Sequence, residues 1–121
     1  MGISEEIKVT MDTTFVPVTE IRGARILTVK GEELGNIKEV MIDSEYGRIA
    51  YVVFACDCTL GVNCKFFAIP WGALKANLGD YILKVDKEAF ETAEGLDEDA
   101  WTLDRNDLAK LYEQYKLHPY W

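Results

Sequence analysis

Between residues 31 and 71 the chain carries three apolar runs separated by turn-forming interruptions, and that spacing constrains the fold more than any other feature. Glu33-Leu34-Gly35-Asn36-Ile37 opens the first run, Asp43-Ser44-Glu45-Tyr46-Gly47-Arg48 breaks it, and Ile49-Ala50-Tyr51-Val52-Val53-Phe54 resumes it. Ala68-Ile69-Pro70-Trp71 closes a third run. Strand, tight turn, strand, loop and strand in such quick succession predict a small, locally paired antiparallel sheet. No reactive centre stands out in the same stretch.

The 121 residues make one domain, long enough to bury a core without help from disulfides or metal. With 49% apolar residues, disorder along the whole chain is excluded. The 13 basic residues against 21 acidic ones leave a net charge of −8, the wrong sign for phosphate backbones and anionic lipid. No stretch clusters Lys and Arg, so nucleic acid is not an expected partner. Residues 1–12 are acidic, with no apolar segment of signal-peptide type. No apolar run approaches the roughly eighteen residues of a membrane-spanning helix. A cytoplasmic location is expected, and the odd number of cysteines, three, agrees with a reducing compartment.

Residues 1–14 read as a flexible arm and 15–93 as the folded body. Residues 94–121 form an acidic linker and a C-terminal helix packed on that body. Within the body, residues 15–21 look strand-like around Pro17, which suits an edge or connector because it lacks an amide donor. A strand over 23–29 and a turn at 30–33 follow. In the strand over 34–43, Ile37, Glu39 and Met41 share one face, and Val40 and Ile42 the other. Its neighbour over 48–56 is apolar on both faces, as in a strand covered from both sides. Residues 57–63 form a loop and 64–69 the return strand. Pro70 suits the start of a short helix over 71–76. Residues 77–80 turn the chain into a strand over 81–85. Asp86 is placed to cap a helix over 87–93, and Asp104 one over 105–115. On that last helix Leu108, Leu111, Tyr112 and Tyr115 form one apolar stripe.

Taken in order, these segments resemble a PRC-barrel domain, the family named after the photosynthetic reaction centre H subunit. The resemblance is carried by Gly31-Glu32-Glu33-Leu34-Gly35-Asn36-Ile37, by Ile42-Asp43 leading to Gly47-Arg48-Ile49-Ala50-Tyr51-Val52-Val53, by Phe67-Ala68-Ile69-Pro70-Trp71-Gly72-Ala73-Leu74 and by Leu83-Lys84-Val85-Asp86-Lys87-Glu88. The tail is similar to one in free-standing bacterial members, with an acidic segment holding Trp101 ahead of a helix and a terminal Tyr120-Trp121. What the resemblance implies is a mainly β fold, a small antiparallel barrel with short helices, used as a protein-interaction module without a catalytic residue set. Neither the membrane helix of the reaction-centre form nor the additional barrel of the ribosome maturation factor is read in these 121 residues, so neither specific role is expected. Gly35 and Gly47 stand where a bulge or turn needs glycine, Asp43 where turn amides need an acceptor, and Pro70 where an edge ends.

Cys56, Cys58 and Cys64 flank one loop, but three thiols and a distant His118 do not make a structural zinc site. A Cys58–Cys64 disulfide requires a particular strand register, and inert thiols are the expectation. His118 has no nucleophile partner. The acidic run at 94–99 lacks the spacing of a calcium loop, and Gly31 and Gly35 do not form a phosphate cradle. No catalytic residue, cofactor or metal is therefore expected. Tyr51, Val53, Trp71, Trp101, Tyr120 and Trp121 are the interface candidates, since aromatic side chains are favoured at contact cores. A protein partner and a homodimer are expected, because the strand over 49–54 needs both faces covered. The alternatives are a cysteine-based metal or redox sensor and a small-ligand site at the barrel mouth near Tyr51, Phe66 and Trp71.

Overall fold

The computed structural model describes residues 15–56, 64–91, 93 and 95–121. The arm at 1–14 and the loop at 57–63 lie outside the described residues. After a single helical turn, α1 (Val18–Ile21), come β1 (Arg25–Leu27), β2 (Glu33–Asp43), β3 (Arg48–Cys56) and β4 (Lys65–Pro70). A 3-10 turn (Trp71–Ala73) leads to β5 (Leu74–Asn77), β6 (Asp80–Leu83), α2 (Glu88–Glu91) and α3 (Arg105–Gln114). The strands form one sheet in the order β4-β3-β2-β1-β6-β5, curled into a half-barrel. The fold is mainly β with a C-terminal helix, as the sequence predicts.

All pairings are antiparallel except β1 with β6, which run parallel with Ile26 opposite Tyr81. Arg25 forks onto Asp80 across that seam, Nε to Oδ1 at 3.2 Å and Nη2 to Oδ2 at 2.8 Å. The long β2–β3 ladder shifts register twice, leaving Lys38 and Ala50 without opposite numbers. Each extra residue resets the alternation of faces and bends the strand, which supplies curl. For this reason Ile37 and Val40 both enter the inner core, while Ala50 and Tyr51, adjacent in sequence, both face the opposite side. The expectation that Ile37 and Val40 take opposite faces is thus corrected, and Ile42 is left exposed.

Three local expectations change. Residues 18–21 form a helical turn rather than strand, with Pro17 extended ahead of it and Ile21 alone buried. The helix expected over 71–76 stops at Ala73, because Leu74–Asn77 pairs with β6 through Leu74↔Leu83 and Asn77↔Asp80. The helix before the acidic linker is one turn, Glu88–Glu91.

Both faces of β3 are buried, each in its own cluster. Ile26, Ile37, Val52, Phe54, Ile69 and Leu83 fill the inner side, with Phe54, Phe67 and Phe90 in mutual ring contact at centroid separations of 5.0–5.8 Å. Ala50, Tyr51 and Val53 meet Leu108 and Tyr112 of α3 on the outer side. The chain's own tail therefore covers the second face of β3.

Candidate functional site

The tail is tied to the sheet by buried hydroxyls. Tyr51 donates from its hydroxyl to the Trp101 carbonyl at 2.7 Å and accepts from the Leu103 amide at 2.9 Å. From the helix side, Tyr112 donates to the Ala50 carbonyl at 2.8 Å. Burial raises the pKa of both phenols, so they stay protonated donors. Helix α3 starts on Asp104, whose Oδ1 accepts from the Asp107 amide at 2.8 Å, the cap expected from the sequence. It ends with Lys116 in the left-handed region, φ 58°, while Lys116 and Leu117 donate to the carbonyls of Glu113 and Tyr112 at 3.0 and 2.9 Å. That double bond is a Schellman stop, and it turns residues 117–121 back along the helix.

The returning end reaches Asp43, whose side chain is 5% exposed. Its Oδ1 accepts from the amides of Glu45 and Tyr46 at 3.0 and 3.2 Å, holding the β2–β3 turn in which Gly47 takes φ 69°. Its Oδ2 accepts from Arg105 Nη1 at 2.6 Å and from the Tyr120 hydroxyl at 2.7 Å. Arg105 first, then Tyr120, holds the Asp43 carboxyl well below the usual carboxylate range. The hydrogen bond from Arg105 to Asp43 in turn raises the guanidinium pKa. Burial, reinforced by the neighbouring carboxylate, pushes Tyr120 up to about 12. Arg105 also reaches Glu45 Oε1 at 3.0 Å and lies 5.2 Å from the rings of Tyr46 and Trp121, while Arg48 sits 4.2 Å over Tyr120. Both carboxylate oxygens of Asp43 are engaged within the chain, and these contacts fasten the tail to the β2–β3 turn.

Of the interface candidates, Tyr51 and Val53 are buried beneath the tail, and Trp101, Tyr120 and Trp121 are half-buried in the same outer cluster. Trp71 stands apart, packed on Tyr81 at 5.5 Å against the inner core. Phe66 stacks on Trp101 at 5.0 Å on the tail side, so Tyr51, Phe66 and Trp71 do not share one mouth. The turn residues stand as the physics requires. A Cβ at Gly35 would strike the Ala55 carbonyl oxygen, and Pro70 ends β4. Asp43 is more than a turn residue. Its partner Arg105 escaped the sequence reading, because nothing local connects residues 62 positions apart.

A groove of about 560 Å³ opens elsewhere, bounded by β4, α2 and α3. Phe67 belongs to the inner cluster and Ala68 to the outer one, and both line it. A hollow touching consecutive residues of a strand must run along the strand's edge. Phe90 walls it from the α2 side and Leu111 from the α3 side, so it lies where the two cores part. Lys84, Lys110 and Lys116 stand exposed at its rim, and among the described residues Asp107 is the one acidic residue lining it. Tyr115 also lines it, with its pKa pushed up to about 12 by burial. The sequence reading named none of these residues as a site.

Cys64 is disulfide-bonded, which departs from the expectation of inert thiols. The Cys56↔Lys65 register places it just beyond the last pair of the ladder. Cys56 is buried in the inner cluster, and Cys58 lies outside the described residues. Among the described residues no group of three or more His, Cys, Asp or Glu side chains could hold a metal ion. His118 is exposed. No described helix is long and apolar enough to cross a membrane.

No curated protein sequence matches the chain. The sequence model of the PRC-barrel domain matches residues 13–90, more than half of the chain, and that domain is generally a protein-interaction module. The match spans the whole sheet, reaches into α2 and stops before the acidic linker, so it includes the curl, the bulges and the Gly35 contact. The chain belongs to the PRC-barrel domain family.

Proposed function

We propose that this chain is a non-catalytic adaptor that docks a protein partner in the groove between β4, α2 and α3. The observation that supports the reading is the groove itself: apolar walls from both cores, a strand edge as its floor, and charged groups confined to an exposed rim. Its size falls in the range of about 300–1,000 Å³ typical of binding hollows. A second hollow, of about 440 Å³ beside Asp43 and Arg105, is less suited, because those groups already satisfy each other.

The homodimer expected from the sequence rested on an uncovered face of β3. The tail covers that face, so the adaptor reading does not depend on a twin subunit. Sedimentation of the full chain measures this separately.

A photo-reactive amino acid placed at Leu111 inside the native cell tests the reading. The expected result is a discrete protein adduct, absent when the same probe replaces exposed Leu78. Equal labelling from both positions, or none from Leu111, overturns it.

A further inference from the structure

The groove exposes main-chain groups as well as apolar side chains, and this narrows the kind of partner it fits. In an antiparallel ladder, alternate residues turn their amide and carbonyl toward the neighbouring strand or away from it. The Phe66 carbonyl accepts from the Leu96 amide at 2.6 Å, so residue 66 faces away from β3. The β3–β4 register continues without a shift from Phe66 to Pro70, so Ala68 faces away too. Among the described residues no main-chain partner meets Ala68 on that side. Gly95 approaches so closely that a Cβ there would lie 2.7 Å from the Phe66 carbonyl oxygen. Among the described residues the bridge that reaches this edge is at Leu96, and beyond it Ala68 faces the groove.

We infer that the groove takes an extended, acidic peptide segment, which continues the sheet by pairing with β4 at Ala68; the inference rests on the docking reading above. Main-chain pairing supplies hydrogen bonds that an aliphatic chain or a helix cannot make. Successive side chains of an added strand point to opposite faces. In this groove one set would meet Phe90 and Val85 and the next would meet Leu111 and Leu103, so both sets are apolar. The charge argument is independent of the hydrogen bonds. On a chain of net charge −8, three lysines and one aspartate among the described lining residues are a local reversal of sign. It attracts acidic flanks and repels basic ones. Pro70 lacks an amide hydrogen, so pairing ends there and the site is short.

The probe is a displayed library of random nonapeptides selected on the full-length chain. Enriched sequences should carry a β-branched or aromatic centre flanked by Asp or Glu. A synthetic copy should bind saturably and weaken as salt rises. Methylating the amide nitrogen of the residue paired with Ala68 should weaken binding about tenfold, as expected when a docked hydrogen bond is lost and its acceptor stays desolvated. On the protein side, Ala68→Pro removes the outward donor. Lys110→Glu lies on the exposed rim and serves as the variant that keeps its fold; both should bind more weakly. No enrichment, basic consensus sequences, or binding indifferent to amide methylation overturns the strand-addition proposal. So does displacement by laurate of peptides that themselves tolerate methylation. If adducts still form from Leu111 under any of those outcomes, the docking reading stands and only the peptide class is wrong. If they do not, both readings fall.

Discussion

Arg105, the first residue of α3, and Asp43, the last residue of β2, meet at 2.6 Å although 62 positions separate them. The same carboxylate oxygen receives the Tyr120 hydroxyl at 2.7 Å, so one side chain fastens both ends of the terminal helix segment to one turn of the sheet. Removing the Tyr120 hydroxyl by Tyr120→Phe keeps the ring contacts with Tyr46, Tyr112 and Trp121 and deletes only this bond. The expected loss is about 1.5–3 kcal/mol, the range for a hydrogen bond to a charged group. Denaturant unfolding followed by tryptophan fluorescence measures it, and an unchanged midpoint would remove Tyr120 from the clasp.

The clasp also sets two pH limits. Asp43 is depressed in the folded state, so its stabilisation is complete above its ordinary value of 3.8 and is lost as pH falls below it. Tyr120 is shifted the other way. The folded chain keeps the phenolic proton that the unfolded chain releases, so its contribution is complete below pH 10 and disappears as pH rises to about 12. Thermal unfolding across that alkaline window should show a steeper decline for the wild type than for Tyr120→Phe. Identical slopes would mean that other phenols account for the whole effect.

Gly35 tolerates no side chain. Its missing Cβ would meet the backbone carbonyl oxygen of Ala55, which cannot rotate away as a side chain could. Gly35→Ala should destabilise the fold by about 1–3 kcal/mol or more through forced separation of strands. Calorimetry of the variant checks it, and a loss within a few tenths of the wild type would contradict the packing described.

Leu78 offers the opposite opportunity. It takes φ 52° ahead of Gly79 at φ 90° in the two-residue turn between Asn77 and Asp80, and it is 74% exposed. Paired left-handed residues define the hairpin turn that favours Asn-Gly, and a branched aliphatic side chain is strained there. Leu78→Asn should raise stability by about 0.5–1 kcal/mol. A lower melting temperature would show that Leu78 makes a contact worth more than its backbone strain.

What the sequence discloses is what short-range patterns encode. The apolar run from Ile49 to Phe54 announces a strand covered on both faces, and Asp104 announces the start of α3. Register is less legible. The unpaired Lys38 and Ala50 look like any other strand residues, yet they decide which face each neighbour takes. Leu74 to Asn77 suits a helix locally, and only its pairing with Tyr81 and Ile82 makes it a strand. Arg105 is one charged residue among many until the fold brings it to Asp43. The groove is hidden for the same reason, since Phe67, Phe90 and Leu111 belong to three elements that no periodicity links.

The 3-10 turn at Trp71–Ala73 joins the two outermost strands of the sheet, β4 and β5. Laid flat, six strands would set those borders about 24 Å apart at the ordinary interstrand spacing. The four steps from Pro70 to Leu74 stretch to about 14 Å at most. Connectivity alone therefore forbids a planar arrangement, and the tether length fixes how wide the half-cylinder can become. Inserting residues into that tether would relax the radius, so the barrel's diameter is a property of one short link as much as of its strands.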